Sequence, residues 1–240
     1  MLSTTSMVLL CVLALMLGYM ALAYRDVYRE GFFQFADGTK VCNNVFFFEM
    51  DNFLSESQCD DLMDAAKKKG MYISRVGEVN SKVDNNIRKS EQAWFPHNSN
   101  DVALFIKNKV LDVIKTRMSG CFPGLDPEKS FEDVQVVKYG RDGKYDPHFD
   151  GTECGEDLKV DCLPNQRIAT FLIYINDEFT GGETRFPNMD NMKVKPKKGK
   201  ALFFWVSDPA NRLVYDETLH GGDPVVTGEK WIATQWIRAQ

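Results

Sequence analysis

From Phe131 onward the chain breaks into short β-rich runs, Val134–Tyr139, Ala169–Asn176, Thr184–Phe186, Ala201–Val206 and Trp231–Arg238, punctuated by Gly, Pro, Asn and Asp. β-branched and aromatic residues suit a pleated, packed surface, and the turn formers between them reverse the chain, so this pattern is that of an all-β sandwich or barrel. Upstream the period changes. Ser55 is placed to cap a helix running to about Lys69 and stopped by Gly70. A second helix is expected from Asp101 to about Met118, with Val102, Phe105, Ile106, Val110, Val113 and Ile114 as its apolar stripe. The apolar run Val45–Phe48 reads as a buried strand, and polar, turn-rich Gly77–Asn86 as a mobile loop. The expected class is α+β dominated by β, with a helical layer packed on a two-sheet core.

The 240 residues are enough for one sizeable core. Three parts are expected: 1–24 as leader or anchor, 25–44 as linker, and 45–240 as the folded domain. Met7–Tyr24 carries no charge. It is about as short as a spanning helix can be, and Ala21-Leu22-Ala23 offers a small-x-small cleavage site, so removable signal and retained anchor both fit. Either sends the domain into the secretory lumen, with membrane contact through this segment alone. A net charge of −5 and no long Lys/Arg run give no footprint for a phosphate backbone, which excludes nucleic acid as a partner class. Beyond Cys11 in the apolar segment stand Cys42, Cys59, Cys121, Cys154 and Cys162, an odd number that leaves at least one thiol free or paired with another chain. Cys154 and Cys162 share one polar loop and are placed to close a short ring, and Cys42 and Cys59 flank the first elements of the domain; spacing decides neither pairing.

Three histidines are present: His97, His148 and His220. On a strand, residues at i and i+2 project from one face, so His148 and Asp150 are placed to bind one metal ion. His220, several strands later, completes two imidazoles and one carboxylate. That set leaves three adjacent positions open on an octahedral ion, the facial triad of Fe(II) oxygenases. The His-x-Asp pair alone is a weak signal; Lys230 strengthens it. A lysine at a strand start is usually solvated, but one pointing into a β core needs an anion. 2-Oxoglutarate, chelating iron through its 1-carboxylate and 2-keto oxygen, offers its distal carboxylate one molecule's length away. His97 has no carboxylate near it in sequence and reads as a surface-loop residue.

Taken in order, Tyr139…Tyr145-x-x-His148-x-Asp150, Gly181-Gly182-Glu183-Thr184-x-Phe186-Pro187, Pro196-x-x-Gly199 and His220…Gly228-x-Lys230-Trp231…Trp236 resemble the prolyl 4-hydroxylase family of 2-oxoglutarate oxygenases, from roughly Phe46 to the C-terminus. The single-domain form looks most like the enzymes of algae and of the large DNA viruses that infect them. The resemblance implies a double-stranded β-helix, or jelly roll, supported by N-terminal helices. It implies His148, Asp150 and His220 as iron ligands, Lys230 as co-substrate anchor, and Tyr139 and Thr184 as further partners of the same carboxylate. By the same carry-over Tyr145, Arg167 and Trp236 line a groove for a proline-rich peptide, and Gly77–Asn86 closes over it. Against this, Tyr139, Tyr174 and Trp236 also read as core aromatics and Arg167 as an exposed strand end. O₂ and ascorbate are implied as co-reactants, hydroxylation at C4 of peptidyl proline as the reaction, the endoplasmic reticulum as the compartment, and no obligatory partner subunit. Arg238 stands where relatives commonly carry His. Lysyl hydroxylases, nucleic-acid demethylases and a non-catalytic module on the same scaffold are the competing readings.

Overall fold

Ser55 opens the first helix, α1 (Glu56–Lys69), through a capping box: its hydroxyl accepts from Gln58 N at 3.2 Å and its own N–H donates to Gln58 Oε1 at 2.9 Å. Cys59, Leu62 and Ala66 form the buried stripe, and Gly70, at φ 84°, ends the helix with its N–H on Lys67 O. Asn100 caps α2 (Asp101–Arg117), accepting from Val102 N and Ala103 N. Phe105, expected in the apolar stripe, is 37% exposed, and Lys107 is buried in this helix instead, paired with Glu128. A single-turn helix, α3 (Pro127–Ser130), follows. The computed structural model describes residues 47–77, 82–118, 120–122, 124–156 and 161–240. The expectations for residues 1–46, leader and linker included, lie outside them. Among the described residues no helix is long and apolar enough to cross a membrane.

Two antiparallel sheets make the jelly roll. The larger has seven strands in the order β1 (Phe47–Met50), β11 (Ala201–Trp205), β7 (Arg167–Tyr174), β14 (Lys230–Arg238), β5 (Val134–Tyr139), β4 (Glu91–Phe95) and β2 (Tyr72–Ile73). The smaller runs β10 (Met192–Val194), β9 (Thr184–Phe186), β12 (His220–Gly222), β6 (Lys144–His148) and β3 (Arg88–Lys89), while β8 (Thr180–Gly181) pairs with β13 (Val225–Thr227). Strand β14 is buried from Lys230 to Ile237 and β7 from Ile168 to Tyr174, so both faces of the central strands are covered. Continuous apolar runs, not alternation, are the sequence mark of such strands. Phe186 of the smaller sheet meets Phe204 of the larger edge to face at 5.3 Å, joining the layers.

The strand boundaries expected from composition agree to within two residues, and Val134–Tyr139 and Thr184–Phe186 coincide. Of the Gly77–Asn86 stretch, residues 78–81 lie outside the described residues. Lys82 pairs with Val76, and Asp84 organises a turn by accepting from Asn86 N and Arg88 N. Cys154 and Cys162 are disulfide-bonded, Cys121 is also in a disulfide, and among the described residues Cys59 is the free, buried thiol. Cys42 lies outside the described residues.

Gly199 ties the helical layer to the sheets. It sits at φ +78°, accepts from Leu54 N at 3.0 Å, and a Cβ there would lie 2.3 Å from Leu54 O. Gly199→Ala combines left-handed strain with that clash and is expected to lower stability by about 1–3 kcal/mol or more. Urea unfolding checks this; a change under about 0.5 kcal/mol, the range of an ordinary surface substitution, would contradict it.

Candidate active site and metal centre

Register brings the imidazoles together. Strand β12 lies antiparallel to β6 with His220 directly opposite His148, and their rings stand 4.5 Å apart. Each ring is oriented by its own backbone: His148 Nδ1 bonds Asp146 O and His220 Nδ1 bonds Thr218 O, both at 2.9 Å. A carbonyl only accepts, so both Nδ1 atoms carry the proton and both Nε2 atoms present a lone pair, the tautomer a metal requires.

Asp150 reaches the same point by a different route from the one expected. Strand β6 ends at His148, and Asp150 lies in the bend beyond it, so the pair is not an i, i+2 pair on one strand face. The bend nevertheless puts Oδ1 at 3.6 Å from His148 Nε2 and Oδ2 at 3.7 Å from His220 Nε2. Those distances exceed hydrogen bonds, and the three donor atoms lie within 4.8 Å of one another, as atoms do around a space for a cation. Thr170, from the facing sheet, donates to Asp150 Oδ2 at 2.7 Å. Burial works to raise the Asp150 pKa, but His220, His148 and Arg167 overcome it and hold the carboxyl far below the usual carboxylate range. Burial pushes His220 down to about 4 against the pull of Asp150, which keeps the ring neutral. An anionic carboxylate and neutral imidazoles fit a divalent iron.

The triad opens on a pocket of about 570 Å³ between the sheets, which Lys230, Tyr139, Thr184, Tyr145, Arg167 and Trp236 also line. Lys230 is 3% exposed and, among the described residues, forms no ion pair. Burial lowers its pKa to about 8, with Asp223 and Glu183 pulling the other way. Tyr139 is its cross-strand neighbour, its ring centroid 5.4 Å from Nζ. Tyr174, read as a core aromatic, donates to Thr184 Oγ1 at 2.7 Å, which leaves the threonine's own proton for another acceptor.

Nearer the mouth, the Tyr145 ring stacks on His148 at 3.5 Å. Arg167 is no exposed strand end: both oxygens of Glu132 hold its guanidinium, at 2.5 and 2.8 Å, and it lies 3.8 Å over the Trp236 ring. Arg238 bonds the same Glu132 at 2.8 Å, outside the pocket lining. His97 is also corrected, from a surface residue to a half-buried one whose Nε2 bonds Gln235 at 2.7 Å, away from the triad. Sequence reasoning missed Thr170, Arg88, Trp94, Gln92 and Gln135, all on the pocket wall. For Gln135 and Gln92 the available signal was a polar residue inside a strand with apolar neighbours; Thr170, Arg88 and Trp94 carried none.

Fold, triad and buried lysine are those of an iron- and 2-oxoglutarate-dependent oxygenase, and the profile of the 2OG-Fe(II) oxygenase superfamily matches residues 134–238. A putative prolyl 4-hydroxylase of Acanthamoeba polyphaga mimivirus is 34% identical over 219 residues, covering 89% of this chain and 82% of that protein. Prolyl 4-hydroxylase 13 of Arabidopsis thaliana is 33% identical over 80% of this chain and 71% of its own. Among solved structures, the viral collagen prolyl hydroxylase of Paramecium bursaria Chlorella virus-1, in complex with 2-oxoglutarate, superposes with a TM-score of 0.70 at 39% identity, covering 83% of this chain and 99% of that one. The chain belongs to the prolyl 4-hydroxylase family.

Proposed function

We propose that this enzyme hydroxylates C4 of peptidyl proline in proline-rich polypeptides while converting 2-oxoglutarate to succinate and CO₂. The observation that carries the reading is a buried lysine that has no counter-ion among the described residues and shares one pocket with a His-Asp-His cluster. His148, Asp150 and His220 hold Fe(II), which with 2-oxoglutarate and O₂ supplies the oxidising chemistry, and ascorbate serves as reductant. Lys230 neutralises the distal carboxylate, and the Tyr139 and Thr184 hydroxyls donate to it. Tyr145, Arg167 and Trp236 receive the peptide. A proline-rich segment is already extended before it binds and has no proline N–H to satisfy, which suits a groove walled by flat aromatic faces.

Thr170 keeps Asp150 in place. Removing a hydrogen bond behind a metal ligand typically costs 10–100-fold in metal affinity or activity, so Thr170→Val is expected to weaken Fe(II) binding by about that factor. Metal titration against activity checks it; an unchanged half-saturation point would contradict the assignment.

The N-terminal apolar run, read as signal or anchor, supports a location in the secretory pathway, facing the lumen of the endoplasmic reticulum, and the Cys154–Cys162 disulfide is consistent with an oxidising compartment. It works without an obligatory partner subunit. The test of the reading is succinate formation from 2-oxoglutarate with a proline-rich peptide, its Pro→Ala counterpart and no peptide. Turnover with the first alone, yielding 4-hydroxyproline, is expected. Equal turnover with all three would overturn proline as the target.

A further inference from the structure

Arg88 carries a charge that the chemistry above does not use. It is 7% exposed, lines the pocket, and forms no ion pair among the described residues. A buried guanidinium without a carboxylate is costly unless something in the working protein compensates it. Its contacts are neutral: Nε donates to Ser90 Oγ at 3.1 Å and Nη1 to Arg75 O at 3.4 Å, and Ser90 in turn donates to Ser74 Oγ at 2.8 Å. These bonds hold the guanidinium in place. Its Cζ lies 4.6 Å from the ring centroid of Tyr145, the residue opposite Arg88 in the β3–β6 ladder, and Tyr145 is the ring stacked on His148. A continuous line of contact therefore runs from the wall of the mouth at Arg75, through Arg88 and Tyr145, to a metal-binding imidazole.

Arg88 thus adds a buried positive charge to the pocket wall, and a positive field there favours a dianionic co-substrate. Arg88 also faces the buried Tyr139 hydroxyl, which burial raises and Arg88 pulls back down. Resting on the reading of the site given above, we propose that Arg88 is a positioning residue that holds the Tyr145 ring against His148, and that its uncompensated charge strengthens 2-oxoglutarate binding.

Two substitutions separate geometry from charge. Arg88→Lys keeps the charge but loses the planar fork, and Arg88→Met loses both. Each is made alone and with Tyr145→Leu, and binding is read without turnover: Mn(II) affinity by calorimetry, then the rise in melting temperature caused by 2-oxoglutarate on the Mn(II)-loaded protein. Both single variants are expected to bind Mn(II) about tenfold more weakly, and neither to weaken it further once Tyr145 is Leu, because the effect passes through that ring. The 2-oxoglutarate shift should persist in Arg88→Lys and shrink in Arg88→Met. Additive losses in the double variants, or Mn(II) affinity within about twofold of wild type in Arg88→Lys, would overturn the positioning role. Equal 2-oxoglutarate shifts in the two variants would overturn the charge role. If Arg88→Met does not fold, as circular dichroism would report, Arg88→Lys decides the first role and Arg88→Gln, a planar polar head without the charge, replaces Arg88→Met in deciding the second. None of these readouts needs a proline substrate, so failure of the hydroxylase reading and failure of the Arg88 proposal are distinguishable.

Discussion

His220→Ala should eliminate succinate formation while leaving a folded protein. The imidazole is 5% exposed, packed against Phe204 with centroids 4.8 Å apart, and tied to Thr218 O. Losing those contacts costs stability on the order of 1–3 kcal/mol, within what a domain with this core withstands. Loss at the metal is far larger. A two-ligand remnant of His148 and Asp150 no longer fixes iron on one face or orients the co-substrate's two chelating oxygens, so turnover should fall below detection whether or not peptide is present. Iron content after desalting, with far-ultraviolet circular dichroism as the fold control, distinguishes a lost ligand from a lost fold. Retention of proline-dependent succinate formation in this variant would remove His220 from the site.

Lys230→Ala should raise the KM for 2-oxoglutarate by roughly 30-fold or more and leave the KM for peptide nearly unchanged. Truncating one partner of a desolvated, hydrogen-bonded charge pair costs about 2–5 kcal/mol, and nothing else among the described residues is poised to replace this ammonium. The empty variant should melt no lower than wild type, because a buried charge with no counter-ion among the described residues disappears with the side chain. pH supplies a second reading. In the empty site Lys230 titrates near 8, so it is charged below that value and loses its proton above it. The KM for 2-oxoglutarate in wild type should therefore climb as pH rises through about 8, and that dependence should vanish in Lys230→Ala. Equal effects on both substrates, or a flat profile in wild type, would contradict the anchor role.

The parts of this fold legible beforehand were those governed by local rules. Ser55 and Gly70 bound α1 where capping chemistry puts them, and the apolar run Val134–Tyr139 is a strand to the residue. What escaped depended on tertiary placement. Phe105 shares the helical period of its neighbours, yet it is left 37% exposed among the described residues, and Lys107 takes a buried position because its stem packs while its ammonium reaches Glu128. Asp150 was assigned to the metal for a reason the backbone does not support, since a bend and not a strand face delivers it. The triad was nonetheless readable, because so few histidines exist and two stand near a carboxylate and a buried-strand lysine. Thr170 and Arg88 were not, because their meaning lies in pairings, with Asp150 across the layers and with Tyr145 across a ladder, that only the closed jelly roll creates.

An anomalous difference map, from crystals grown without oxygen and soaked with Fe(II) and 2-oxoglutarate, measures the shared metal position directly. One iron peak is expected about 2.1 Å from Nε2 of His148, Nε2 of His220 and one oxygen of Asp150, with the co-substrate's far carboxylate against Lys230. Iron absent from that point, or bound with any of the three side chains turned away, would contradict the placement of the active site.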